Sequence, residues 1–157
     1  MKTFLSTLMA SIMLCAVLQA QTYNVTFQVY MNTQTSVPDT ISVAGSFQEF
    51  TSVGAAWQAG ATQMTDDNMD GVYEVTVAMT GAPDTIQYKF INGLAWGNNE
   101  GISGPCAYPG SDNRYAAITS DTTLTYCYNT CDASCPTIDT VNVTFRVDMS
   151  MEPVVNA

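Results

Sequence analysis

Residues 22–32 read TYNVTFQVYMN. Val25, Phe27, Val29 and Met31 alternate with Asn24, Thr26, Gln28 and Tyr30, the period-two pattern of a strand with one face in a core. The same alternation returns downstream. Tyr73, Val75, Val77 and Met79 interleave with Glu74, Thr76 and Ala78, and Ile86, Tyr88 and Phe90 interleave with Thr85, Gln87 and Lys89. A short apolar run at 41–44 and segments at 114–118 and 122–128 complete the set, and the last two flank a TSD turn and read as a hairpin. Turn chemistry separates the runs: SVPD, DDNMDG, TGAPD, NGLAWGNNEG and YPGSDN. No segment carries a helical stripe. Short strands punctuated this way predict an all-β fold, an immunoglobulin-like antiparallel β-sandwich over residues 22–129.

The flanks set the context. Residues 1–20 combine Lys2 with an uncharged apolar run and end in Leu18-Gln19-Ala20, the outline of a signal peptide. The run is short for a membrane span, and no span is expected in the mature chain. Cys15 falls inside this leader, where IML lacks the small residues a lipoprotein site requires. Cys106, Cys127, Cys131 and Cys135 then form an even set in an exported chain, which points to disulfides with three pairings open. Cys131 and Cys135 have the spacing of half a zinc site, but the chain has no histidine.

Thr, Asn, Val, Thr, Phe, Val and Met of the opening stretch recur in register at 140–150, TVNVTFRVDMS. Residues 130–139 therefore read as a cysteine-rich linker and 140–157 as the start of a second, cut-off repeat. An unpaired copy of the first strand also raises strand-swapped oligomers.

Formal charge is −10, with four Lys and Arg against fourteen Asp and Glu. Such a surface repels phosphate backbones, so nucleic acid is not an expected partner. Without histidine there is no Ser–His or Cys–His pair, and the carboxylates are scattered through turns, so no catalytic set and no cofactor are expected. Asp66, Asn68 and Asp70 match the opening of a calcium loop. The position where that loop needs Glu is Val77, inside a strand, and a hairpin turn is the better reading. NVT at Asn24 and Asn142 matches the glycosylation acceptor, but both asparagines lie in predicted strands.

The ordered motifs AGSFQEF, DDNMDGVYE, YKFINGLAWG and DNRYAAI resemble the starch- and glycogen-binding sandwiches of carbohydrate-binding module families 20 and 48. That group includes the glycogen-binding domain of AMP-activated protein kinase. Together with VTFRVDMS and a cysteine-rich end, they are similar to tandem modules of secreted Bacteroidota proteins. The resemblance covers nearly all of residues 24–136. It implies a secreted or cell-surface, non-catalytic module for a polysaccharide of the α-glucan type, which holds an attached enzyme or a cell surface near the polymer. It also implies a site of Trp96, Lys89, Phe50 and Asn113: rings for the C–H faces of the sugar, an ammonium and an amide for its hydroxyls. Phe50 departs from the family's Trp, and Trp57 is either a substitute ring or a cover for the core edge. The reading from another class is a structural spacer or adhesin with no glycan site.

Overall fold

The computed structural model describes residues 20–135 together with Thr144 and Arg146. The leader (except Ala20), the restart at 140–157 (apart from those two residues) and the strand-swap expectation fall outside the described residues. Seven strands run β1 (Thr22–Tyr30), β2 (Thr40–Gly45), β3 (Gln63–Thr65), β4 (Val72–Thr80), β5 (Thr85–Ile91), β6 (Arg114–Ala117) and β7 (Thr122–Cys127). They form one sheet in the order β6-β5-β2-β3-β4-β1-β7. The short β3 is the corner, joined to β4 through the single pairing of Thr65 with Glu74. The sheet folds there into a barrel-like sandwich, with β6-β5-β2 over β4-β1-β7.

The period-two residues meet between these layers. Val25, Phe27, Val29, Ile41, Val43, Met64, Met79, Ile86, Tyr88 and Phe90 are fully buried. Phe27 of one layer stands 4.7 Å from the Phe47 ring and 5.0 Å from the Tyr88 ring of the other. A 3₁₀ turn at Ser46–Phe50 carries Phe47 into this cluster. The turn leaves β2 at Gly45, where a Cβ would meet the Gln87 carbonyl oxygen at 2.3 Å, so that no other residue fits against β5.

The expectation of a hairpin at 114–128 is corrected. β6 pairs antiparallel with β5, whereas β7 pairs with β1, and in parallel. Residues 118–121 cross between the layers, and Asp121 Oδ1 accepts the Asn24 amide at 2.8 Å, which seats the start of β7 beside β1. Two apolar-alternating runs with a short polar turn carry the same pattern whether they pair or cross. Residues 130–135 form no strand and are tethered to the sandwich, the Cys127 amide donating to Asp132 O at 2.8 Å. Disulfides join Cys106 to Cys131 and Cys127 to Cys135. They tie the loop before β6, and the end of β7, to the segment read as a linker.

Inside the sandwich lies an ion pair that no pattern announced. Arg114 and Glu100 are both completely buried. Arg114 Nε donates to Glu100 Oε1 at 2.7 Å and Nη2 to Oε2 at 2.8 Å. Nη2 also donates to the carbonyls of Cys127 and Thr130, at 3.0 and 2.9 Å. Glu100 in turn accepts the amides of Phe90 at 3.0 Å and Asn129 at 3.3 Å. The guanidinium stacks 4.5 Å from the Tyr126 centroid and 5.4 Å from that of Phe90. With its geometry bidentate, Nη2 shared among three oxygens and Nη1 against Cys106 Sγ at 3.5 Å, attraction offsets the desolvation of both charges.

Removing one partner strands the other charge. Arg114→Met or Glu100→Gln should each destabilise the fold by roughly 3–5 kcal/mol in guanidinium unfolding. The Arg114→Met/Glu100→Leu double variant should cost much less than the two singles combined. Single variants that unfold at the wild-type midpoint would contradict this role for the pair.

Candidate functional site

Along β5 the odd and even residues part company. Ile86, Tyr88 and Phe90 enter the core, so Gln87 and Lys89 face outward. On β6 Arg114 points in, and its neighbours Asn113 and Tyr115 lie on the outer side. The loop before β6 folds back on β5 through two polar rungs. Lys89 Nζ meets Asp112 Oδ2 at 2.6 Å, and Asn113 Nδ2 donates to Gln87 Oε1 at 3.2 Å. The lysine is buried while Asp112 is mostly exposed. The hydrogen bond from Lys89, more than any other influence, holds the Asp112 carboxyl below its ordinary pKa.

Two loops converge over the outward side of β2. Ser42, whose neighbours Ile41 and Val43 are in the core, donates its hydroxyl to Gly93 O at 2.8 Å and accepts the Gly60 amide at 3.3 Å. Gly60 has φ +74°, and a Cβ there would stand 2.5 Å from the Leu94 carbonyl oxygen, so the two loops touch backbone to backbone. The buried Gln48 amide organises the first loop. Its Nε2 donates to Gln58 O and Thr62 Oγ1, both at 3.0 Å, and its Oε1 accepts the Gln58 amide at 2.8 Å. Trp57, with φ 58° and its amide on Gly45 O, is thereby held in a conformation uncommon for a side-chain-bearing residue. The Trp57 and Trp96 ring centroids lie 6.4 Å apart with planes tilted by 39°. Trp96 is 48% exposed and Trp57 half-buried.

The sequence-predicted residues divide accordingly. Lys89 and Asn113 come together on the outward side of β5 and β6, where the lysine is buried under Asp112, and Trp96 stands in the loop after β5 beside Trp57. Lys89 offers its charge through the pair with Asp112 and not as a free ammonium. Phe50 stands apart: half-buried, it packs on the hydrophobic core, and Trp57 takes the place beside Trp96. An unfunctionalised ring at the end of a 3₁₀ turn gains more from burial than from exposure.

Asp66, Asn68 and Asp70 serve the turn between β3 and β4. The two Asp66 carboxylate oxygens accept the amides of Asp70 and Gly71, at 3.1 and 2.8 Å, and Asp70 Oδ1 accepts that of Val72 at 2.8 Å. Among the described residues no cluster of three His, Cys, Asp or Glu side chains is gathered for a metal ion. No described helix is long and apolar enough to cross a membrane.

Sequence reasoning missed Gln87, Asp112, Tyr108 and Tyr115. Tyr108 and Tyr115 are 39% and 37% exposed, and with Trp96 they are the strongly exposed aromatic rings among the described residues. The outward parity of β5 could have found Gln87, and once β6 was paired in register, Tyr115 opposite it. Neither protein-family models nor curated protein sequences give a match to the chain.

The Lys89–Asp112 rung has a pH signature. Because the folded-state pKa of Asp112 is depressed, the rung contributes above the ordinary carboxylate pKa and is lost as pH falls through the lower, folded value. A carboxyl NMR titration should place Asp112 below the ordinary aspartate value, and Lys89→Met should return it upward. An Asp112 midpoint indifferent to Lys89→Met would remove the rung from the site.

Proposed function

We propose that the chain is a non-catalytic glycan-binding module, taking an α-glucan of the starch or glycogen type on the outward face of β2, β5 and β6. The observation that carries the reading is Trp96, exposed and flanked by Trp57, on the same side of the sandwich as the Lys89–Asp112 and Gln87–Asn113 rungs. A hexose presents C–H faces edged with hydroxyls. A tilted indole pair covers the faces, while the Asp112 carboxylate and the Gln87–Asn113 amide pair exchange hydrogen bonds with the edge, the buried Lys89 holding Asp112 in place. Net charge of −10 favours an uncharged polymer over an anionic one.

Two disulfides suit a chain working outside the cell, as a secreted or surface protein. Binding by one module is weak, and neighbouring copies on one chain raise it through effective concentration. The chemistry asked of the module is adhesion to a polymer, with cleavage left to any catalytic partner.

Titration of maltoheptaose against tryptophan fluorescence tests the reading. The wild type should respond saturably. Trp96→Ala should lose at least about tenfold in affinity, and Trp57→Ala somewhat less, with thermal melting unchanged. A wild type silent towards every neutral glycan tried, or a Trp96→Ala variant binding as tightly as the parent, would leave the structural-spacer reading in its place.

A further inference from the structure

Resting on that reading, we infer that Tyr108 and Tyr115 form a second aromatic subsite, so that the face takes an extended run of linked sugars rather than a short oligosaccharide. The two rings stand 5.9 Å apart with planes at 83°. An edge-to-face contact leaves a broad face of at least one ring open. Tyr115 lies opposite Gln87 in the β5–β6 register, and Gln87 holds the Asn113 amide. The Tyr108 amide donates to Asn113 O at 2.8 Å, which fixes the two tyrosines and the rung as one unit. Tyr108 and Asp112 border the same open depression of about 620 Å³, and Asp112 is the partner of Lys89.

From the indole pair over β2 to Tyr115 on β6 the surface crosses two inter-strand steps, about 10 Å. One hexose ring cannot touch both ends, whereas several linked ones can. Between them lie the Lys89–Asp112 and Gln87–Asn113 rungs. Rings at the ends with hydroxyl partners between are what a flexible, uncharged glycan requires for register-tolerant binding. Each subsite is weak, and their linkage through one ligand raises affinity with chain length.

Calorimetric titration of the full chain with maltotriose and maltoheptaose tests the extension. The wild type should bind the longer sugar more tightly. Tyr115→Ala should lose roughly three- to tenfold on maltoheptaose and nothing on maltotriose. Tyr108→Ala should behave likewise, and Tyr115→Trp should keep the length gain. Tyr115 is on the surface, and an unchanged melting temperature separates lost contact from lost fold. Trp96→Ala should weaken both sugars alike. A length gain of equal size in Tyr115→Ala and the parent, or no gain in the parent, overturns the second subsite while leaving the indole site standing. Failure of the wild type to bind either sugar overturns both.

Discussion

The buried pair of Arg114 and Glu100 is the constraint on which both the fold and the candidate site depend. Because Arg114 is drawn into the core, strand alternation turns its neighbours Asn113 and Tyr115 to the outer side. Because Glu100 accepts the Phe90 amide, the loop that begins after β5 is pinned at one end to the strand carrying Gln87 and Lys89. The guanidinium also holds the carbonyls of Cys127 and Thr130, so the close of β7 and the segment after it are fixed to the same point. A charged pair at this place is more specific than an apolar cluster. Its bidentate geometry admits one arrangement of three chain segments, whereas packed methyl groups admit several.

The disulfides extend that constraint where strand pairing runs out. Between β5 and β6 the chain makes a long excursion with little regular structure of its own, though it must deliver Asp112 and Asn113 to within hydrogen-bonding distance of β5. Cys106–Cys131 closes it against the end of the domain, and Cys127–Cys135 fixes that end to β7. A cross-link of this kind acts mainly by restricting the unfolded chain, with the larger effect for the longer loop. Lys89 and Arg114, the cations within the sandwich, are both ion-paired, so the acidic excess of the chain remains on its surface.

Most of the architecture was legible in the sequence, because a half-buried strand writes its orientation into every second residue. The parity of Val25, Phe27 and Val29, or of Ile86, Tyr88 and Phe90, needs no partner to be read. Pairing is different. Residues 114–118 and 122–128 show apolar alternation but nothing that records which layer each joins, and there the hairpin expectation failed. The cysteines announced disulfides without announcing connectivity, which depends on how residues 100–113 fold back. Trp96, Lys89 and Asn113 were singled out as candidates through motif resemblance. Trp57 was noticed but its role left open, and Asp112 and Tyr108 were not found, because each reaches the candidate site by a loop whose path is set by contacts distant in sequence. Gln48 to Gln58, Ser42 to Gly60 and Lys89 to Asp112 are such contacts. The fate of Phe50 lay between these cases: its residue type favoured burial even where the motif favoured display.

The two outer faces of the sandwich obey one alternation rule yet differ in chemistry. On the β4-β1-β7 layer the outward side chains satisfy one another. Thr22 pairs with Thr80 and Thr26 with Thr76, each at 2.8 Å, while Gln28 donates to Glu74 at 2.9 Å and accepts from Thr125 at 2.9 Å. Such cross-strand ladders stabilise the sheet and leave few polar atoms directed at a ligand. The β6-β5-β2 layer instead has its rungs formed between a strand and a loop, with aromatic rings exposed at either end. A carboxylate oxygen held by Lys89 and an amide held by Gln87 keep lone pairs and protons towards solvent, because each spends only part of its hydrogen-bonding capacity inside the protein. On the proposed reading, polar groups already fixed in this way would lose little side-chain entropy on meeting a ligand. The same backbone geometry thus yields one face laddered from strand to strand and another covered and braced by loops. The choice between them was made by residues that the core never touches.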